Sequence, residues 1–324
     1  MGQSKSALAI HGGAGTILRS AMTPELEAEY RGGLSAALHA GWDILDKGGS
    51  SLDAVEAAVI SLEDCPLFNA GRGSVFTHEG KNEMDAAIMD GSSINAGAVA
   101  CVRNVKNPVK LARLVMERTE HVSLAGDGAD QFAEEIGVEL ADNAYFYTEF
   151  RWKQLEEAIE AGKVKLDHSA YNSETQPSTT ASSSKPFGTV GAVACDTSGR
   201  LAAATSTGGM TNKRYGRVGD TAIIGAGTYA GEVCAVSCTG HGEYFMRNLT
   251  AYDVSARMKY KGMNLEDAAR ETVEHLTKIG GEGGLIAVDT QGNLVLPFNS
   301  EGMYRGWIGE DGTSKIRIYH ESES

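Results

Sequence analysis

Residues 169–184 read Ser-Ala-Tyr-Asn-Ser-Glu-Thr-Gln-Pro-Ser-Thr-Thr-Ala-Ser-Ser-Ser, and the chain changes character across them. Such a segment cannot bury enough apolar area to offset its ordering entropy, so a flexible linker over about 165–187 is expected. It stops at Lys185-Pro-Phe-Gly188, and Thr189 at once opens a run that reads as a buried strand. Either the linker joins two domains, or the chain is cut at its end. Cleavage of Gly188–Thr189 would leave Thr189 with both a hydroxyl and a free α-amine. A threonine hydroxyl needs a base to become a nucleophile, and an α-amine of pKa about 7.7–8.0 suits that task near neutrality.

Ahead of the linker, Ala7–Ile10 reads as a short strand leading into a loop, His11-Gly-Gly-Ala-Gly15. A helix carries Leu26, Tyr30, Leu34, Leu38, Trp42 and Leu45 at i+4 and i+3 steps. A second, capped at Ser51 or its neighbour, carries Leu52, Val55, Val59 and Leu62. Strands are expected at Val75–Thr77, Met84–Met89 and Ala96–Val102, with helices from Pro108 and over Phe150–Gly162. Beyond the linker, Thr189–Cys195 and Leu201–Thr205 form a hairpin. Further strands read at Thr221–Ala226, Val233–Cys238, Gly284–Asp289 and Asn293–Pro297, with helices over Gly242–Tyr260 and Leu265–Ile279. Small-residue strands in a block, with helices before and between, indicate an α+β sandwich of packed sheets.

Charge narrows the partners. With 29 Lys+Arg against 43 Asp+Glu the net charge is −14, which repels phosphate backbones and anionic membranes, and no basic stripe offsets it. No apolar run approaches the roughly 20 residues of a membrane span. Five cysteines without a C-x-x-C spacing read as reduced core residues of a cytoplasmic protein. The start, Met1-Gly-Gln-Ser-Lys-Ser6, matches a myristoylation pattern at Gly2; a short lead into the first strand is the plainer reading.

The second half places polar groups at the ends of small-residue segments. Thr205-Ser-Thr-Gly-Gly209 ends the hairpin, Gly216-Arg-Val-Gly-Asp220 sets a guanidinium and a carboxylate three residues apart, and Val236-Ser-Cys-Thr-Gly240 ends a strand. Taken with His11-Gly-Gly-Ala-Gly15, Cys65-Pro-Leu-Phe-Asn-Ala-Gly71, Gly188-Thr-Val-Gly-Ala192 and Asn299-Ser-Glu-Gly-Met-Tyr304, these motifs resemble the plant-type asparaginase / isoaspartyl peptidase family, in that family's order, from about residue 6 to 308.

The resemblance implies a four-layer αββα sandwich of the N-terminal-nucleophile hydrolases. It implies self-cleavage at Gly188–Thr189 into an α subunit, 1–188, and a β subunit, 189–324, which together build one domain. Thr189 would be the nucleophile, Thr207 would orient its hydroxyl, and Asn69 would hold its amine. Arg217 would grip the substrate α-carboxylate and Asp220 its α-ammonium, a division that suits a guanidinium fork and a carboxylate. Val218, Gly219, His241 and Gly242 would complete the substrate site, while Thr239 and Gly240 would form the oxyanion hole. A structural sodium would rest on the backbone carbonyls of Leu62, Glu63, Cys65, Phe68, Ala70 and Arg72, with no cofactor needed for the chemistry. The implied assembly is a dimer of αβ units, and the implied activity is hydrolysis of L-asparagine and β-aspartyl dipeptides.

Two departures stand out: the stretch from Tyr229 to Cys238 is a residue shorter than the family pattern, and His241 falls where no fixed residue is expected. Val122, apolar near a potassium-responsive loop, points to potassium independence. Gly225-Ala-Gly-Thr-Tyr-Ala230 fits a dinucleotide fingerprint but lacks the helix that would have to follow. Lys213 and Arg214 read as a solvated or pocket-rim pair, and His11 as a hydrogen-bonded core histidine. Gly280, Gly281, Gly283 and Gly284 have no functional account. The rivals are a glycosylasparaginase-like hydrolase and a non-catalytic amino-acid-binding protein, which would stay uncut.

Overall fold

A computed structural model of the chain describes residues 5–162 and 188–320. The linker and the Gly2 motif therefore lie outside the described residues. The N-terminal part contains β1 (Ala7–Gly15), α1 (Pro24–Asp46), α2 (Ser51–Glu63), β2 (Met84–Asp90), β3 (Asn95–Val102), α3 (Pro108–Arg118), β4 (Ser123–Ala125), α4 (Gly126–Ile136), α5 (Asn143–Phe146) and α6 (Glu149–Glu160). The C-terminal part contains β5 (Val190–Cys195), β6 (Leu201–Thr207), β7 (Thr228–Ala230), β8 (Cys234–Gly240), α7 (Gly242–Asn248), α8 (Thr250–Lys261), α9 (Leu265–Lys278), β9 (Gly283–Asp289), β10 (Leu294–Val295), β11 (Gly302–Ile308) and β12 (Ser314–Tyr319).

Local chemistry sets the helix starts. Thr23 accepts a hydrogen bond from Leu26 N with Pro24 in the first turn, and Ser50 accepts from Asp53 N ahead of α2. The strands form an eight-stranded sheet in the order β12-β11-β1-β5-β6-β2-β3-β4 and a four-stranded sheet in the order β10-β9-β8-β7. Alternation along each strand sorts side chains between layers. In β1, Leu8 and Ile10 pack with Leu34, Leu38 and Val55 of α1 and α2. Ala7 and Ala9 face the other way, against Ala235, Ile286 and Val288 of the second sheet. Val236, Cys238 and Leu285 on that sheet's far side pack under Val254, Ala268 and Leu276 of α8 and α9. The result is the αββα sandwich, its inter-sheet layer filled mainly by alanine, with a few larger apolar side chains.

Several elements differ from their sequence expectation. His11–Gly15 is no loop: β1 continues through it with a register shift between His11 and Gly13. The expected strand over Thr221–Ala226 is a series of turns, because Ile223 N bonds Asp220 O and Ala226 N bonds Ile223 O locally. The expected helix over Gly242–Tyr260 is two helices, broken at Leu249, whose φ is +46°. No strand forms at Val75–Thr77, which makes only isolated bridges to Asn82 and Lys213. Gly225–Ala230 leads into the antiparallel β7–β8 pair rather than a helix, so its glycines do not form a dinucleotide turn.

Candidate active site

The central strands of the large sheet assemble one edge of the site. Thr189 immediately precedes β5 and Thr207 ends β6, and these strands pair antiparallel with Val190 opposite Ser206. That register brings the two hydroxyls together: Thr189 Oγ1 donates to Thr207 Oγ1 at 3.1 Å, and Gly209 N donates to Thr207 Oγ1 at 3.0 Å. Asn69 anchors the same edge, with Oδ1 accepting from Val75 N and Nδ2 donating to Gly209 O. Gly188 and Thr189 lie in a pocket with Asn69, Thr207, Gly209 and Met210. Gly13, at φ +115°, passes so close that a Cβ there would sit 2.5 Å from Gly188 N. A side chain at Gly13 would therefore displace the Gly188–Thr189 segment.

Beneath Thr189 runs a row of buried groups between the sheets. His11 Nδ1 lies 2.9 Å from Thr189 O, and its Nε2 lies 2.9 Å from Ser237 Oγ. Ser237 Oγ is 2.7 Å from Thr205 Oγ1, to which Thr228 Oγ1 donates at 2.7 Å. A carbonyl can only accept, so Nδ1 carries the proton and Nε2 accepts from Ser237. Burial drives the His11 pKa down to about 3, against the raising effect of the Thr189 bond, so the ring is neutral and holds one tautomer.

The opposite edge comes from the turns after β6. Arg217, Gly219 and Asp220 line the same pocket, with Gly240 from the end of β8. Asp85 of β2 holds this turn, accepting from Gly219 N at 3.2 Å and Cys101 N at 2.9 Å. The Nε/NH2 side of Arg217 is engaged by Glu243, at 3.0 and 2.9 Å. Asp220 is 4% exposed, and its buried Oδ2 has no hydrogen-bond partner among the described residues. Burial raises its pKa to about 7, opposed by Arg217. Gly242, opening α7, supplies room: a Cβ there would lie 2.8 Å from Asp220 Oδ1 and 2.9 Å from Arg217 NH2. A buried carboxyl oxygen without a donor can accept a hydrogen bond from a ligand that enters the pocket.

Other expected residues fall as follows. Thr239 is buried and its hydroxyl accepts from Ala14 N at 3.2 Å, which leaves its own proton available to donate. Val218 packs with Ala87, Ala98 and Ala100. His241 is partly exposed at the head of α7, its ring against Tyr244 and its Nε2 3.5 Å from Glu243; burial lowers its pKa, with Glu243 opposing. Lys213 is not solvated: it is buried, with Nζ donating to Glu83 O at 2.6 Å and Gly208 O at 2.9 Å. These two backbone carbonyls, just outside β2 and β6, capture its ammonium, and burial lowers its pKa. Arg214 is exposed, as expected.

The Leu62–Arg72 segment turns carbonyl oxygens onto glycines. A Cβ on Gly71 would sit 2.4 Å from Glu63 O, and one on Gly73 would sit 2.1 Å from Phe68 O. The Glu63 side chain, unremarked in the sequence, is fully buried. Its Oε1 accepts from Val109 N at the head of α3 and from Ser206 Oγ, and burial pushes its pKa up to about 8. The described residues contain no cluster of His, Cys, Asp or Glu able to hold a metal, no helix long and apolar enough to cross a membrane, and only free cysteines.

Sequence comparison supplies the context for this geometry. A family model described as asparaginase matches residues 4–318. An isoaspartyl peptidase of Salmonella typhimurium is 52% identical over 321 residues, spanning 98% of this chain and 100% of that protein. One from Escherichia coli K12 is 50% identical over 319 residues, spanning 98% and 97%. A plant-type L-asparaginase of Pyrococcus abyssi is 43% identical over 309 residues, spanning 94% and 96%.

Proposed function

The chain belongs to the asparaginase family and is a hydrolase of it, and on that premise we propose that it cuts itself at Gly188–Thr189 and then hydrolyses L-asparagine and β-aspartyl dipeptides. The observation that carries this is the pairing, within one pocket, of a hydroxyl pair on Thr189 and Thr207 with a buried Asp220 oxygen that has no partner among the described residues, beside Arg217.

In the proposed reaction the substrate's α-ammonium pairs with Asp220 and its α-carboxylate with Arg217, which presents the side-chain amide to Thr189. The freed α-amine of Thr189 takes the hydroxyl proton as Oγ1 attacks the amide carbon. Negative charge collects on the amide oxygen and is met by the Thr239 hydroxyl and the Gly240 N–H. The C–N bond breaks, the amine proton passes to the leaving nitrogen, and ammonia or an amino acid departs. Water then hydrolyses the ester on Thr189 Oγ1 and releases L-aspartate. Thr207 acts on the nucleophile's orientation, as its 3.1 Å bond to Thr189 supports.

Gly71 and Gly73 leave room beside the Glu63 and Phe68 carbonyl oxygens, which supports a hard cation bound by oxygen ligands alone. We assign the carbonyls of Leu62, Glu63, Cys65, Phe68, Ala70 and Arg72 as the holders of a structural sodium. It would brace the segment that carries Asn69 and takes no part in a reaction step. Two processed units pairing as a dimer, in the cytoplasm, complete the proposal.

A denaturing gel with an activity assay tests it. Processed protein should run as two pieces, one beginning at Thr189, and should release aspartate from asparagine and from β-Asp-Leu. A chain that stays whole yet still turns over β-Asp-Leu would sink the mechanism, and a whole chain that binds aspartate without releasing ammonia would favour a binding protein.

A further inference from the structure

The glycines before β9 and the Asn299 motif both lie beyond the pocket, and the structure connects them to it. Gly240 at the end of β8 and Gly283 at the start of β9 sit opposite one another in the antiparallel register. Both have φ +149°, and neither position has room for a side chain. A Cβ on Gly283 would lie 2.3 Å from Thr239 O and 2.7 Å from Gly240 Cα. One on Gly240 would lie 2.3 Å from Glu282 O. The two backbones thus cross in direct contact, and the position of one fixes the position of the other.

Asn299 holds the Gly283 side of this crossing with its side-chain amide and its backbone N–H. Its Oδ1 accepts from Gly283 N at 2.8 Å, and its own N donates to Gly283 O at 2.9 Å. Its Nδ2 donates both to Gly281 O at 2.9 Å and to Thr277 Oγ1 at 2.7 Å. Thr277 in turn donates to Val273 O within α9, so the clamp is rooted in a packed helix. On the other strand, His241 N donates to Glu282 O at 2.9 Å, fastening the residue that follows Gly240 to the same turn. One acceptor and two donors on a single planar group match asparagine; aspartate has the shape but neither donor.

Resting on the role proposed above for Thr239 and Gly240, we propose that Asn299 and Gly283 are positioning residues that set the Gly240 amide at the height of the developing oxyanion. They touch no reacting atom and act through the β8–β9 crossing. Arg217 and Asp220 belong to the turn after β6 and Asn299 bonds to neither, so kcat should respond more strongly than KM.

The test is steady-state kinetics on processed protein, with melting temperature as a control. Asn299→Asp should lower kcat about tenfold or more with KM within about twofold, since a displacement near 1 Å costs on the order of 100-fold in rate. Gly283→Ala should lower kcat further, towards the roughly 100-fold loss of an oxyanion donor. Should either variant fail to fold, Thr277→Val removes one acceptor of the Asn299 amide and should give a smaller fall in kcat with the same constant KM. Wild-type kcat in folded Asn299→Asp and Thr277→Val, or losses confined to melting temperature or KM, would overturn the inference. Thr239→Val separates the two levels. If it is fully active, the oxyanion role proposed above fails; if it is impaired while the Asn299 and Thr277 variants are not, only the clamp fails.

Discussion

On the Thr189 edge of the pocket the polar groups are already engaged by the protein: Thr189 on Thr207, Thr207 on Gly209, Asn69 on Val75 and Gly209, His11 on the Thr189 carbonyl. On the Arg217 edge, Asp220 keeps a buried oxygen without a donor among the described residues, and the Arg217 fork rests against Glu243. The first edge hangs on paired strands at the centre of an eight-stranded sheet; the second is a run of turns tied down by Asp85. A satisfied edge is preorganised for chemistry, which gains most from groups that need not move. An unsatisfied edge gains its missing partners from the ligand, and so carries recognition.

The sharpest way to break this division is Thr189→Ala. We expect loss of both self-cleavage and turnover, with the chain running whole on a denaturing gel; residual cutting or activity would remove Thr189 from the satisfied edge. Next in size, Asp220→Asn should raise KM for asparagine strongly, roughly 100-fold, as a buried charge-assisted bond to the ammonium is lost, with a smaller change in kcat. A variant that loses kcat and keeps KM would place Asp220 in the chemistry instead.

A pH profile sharpens the comparison further. The Asp220 carboxyl is raised to about 7, so it must lose its proton to receive the ammonium, and kcat/KM should climb as pH rises through about 7. A Thr189 amine freed by cleavage would also act deprotonated and would appear in kcat. The limb in kcat/KM that vanishes in Asp220→Asn belongs to Asp220, and one that persists in that variant would contradict the assignment.

The smallest expected effect lies behind the satisfied edge, at Glu63. Its folded pKa, about 8, stands above the ordinary value of 4.5, so its contribution to stability is fully present below 4.5 and is lost as pH rises through 8. Glu63→Gln keeps an acceptor for Val109 N and Ser206 without that loss. It should match the wild type near pH 4.5 and melt a few degrees higher at pH 9. Equal melting curves at both pH values would show that the Glu63 pKa is not raised on folding.

Where local pattern governs, the sequence was legible. The heptad-like apolar steps in α1 and α2 and the small-residue alternation of β5, β6 and β8 follow from packing against a neighbouring layer, which any window of residues reports. Most of the residues gathered in the pocket were named through motif resemblance, but Met210 was not. What escaped depends on distant partners. Asp85 holds Gly219 from 134 residues away, and Glu63 meets Ser206 across 143. Lys213 looked solvated because nothing nearby in sequence announces the Glu83 carbonyl, 130 residues away, that joins Gly208 O in holding its ammonium. Leu249 splits a helix at a positive φ that leucine rarely adopts, and β11 and β12 were hidden behind glycines and the charged, half-exposed edge of the sheet.

The strand order has a consequence for the life of a cut chain. In the large sheet, β1 from the N-terminal piece lies between β5 and β11 of the C-terminal piece, and β2 pairs with β6 on the far side. A break at Gly188–Thr189 would therefore leave two polypeptides knitted through one sheet, unable to part without stripping β1 from both neighbours. Native protein would hold together as before. Once melted, however, the pieces would have to find each other again, and recovery would change from a first-order event to a second-order one that depends on concentration. Unfolding would become, at working dilution, a one-way step, and the lifetime of the mature protein would be governed by the barrier to opening rather than by the balance between folded and unfolded states.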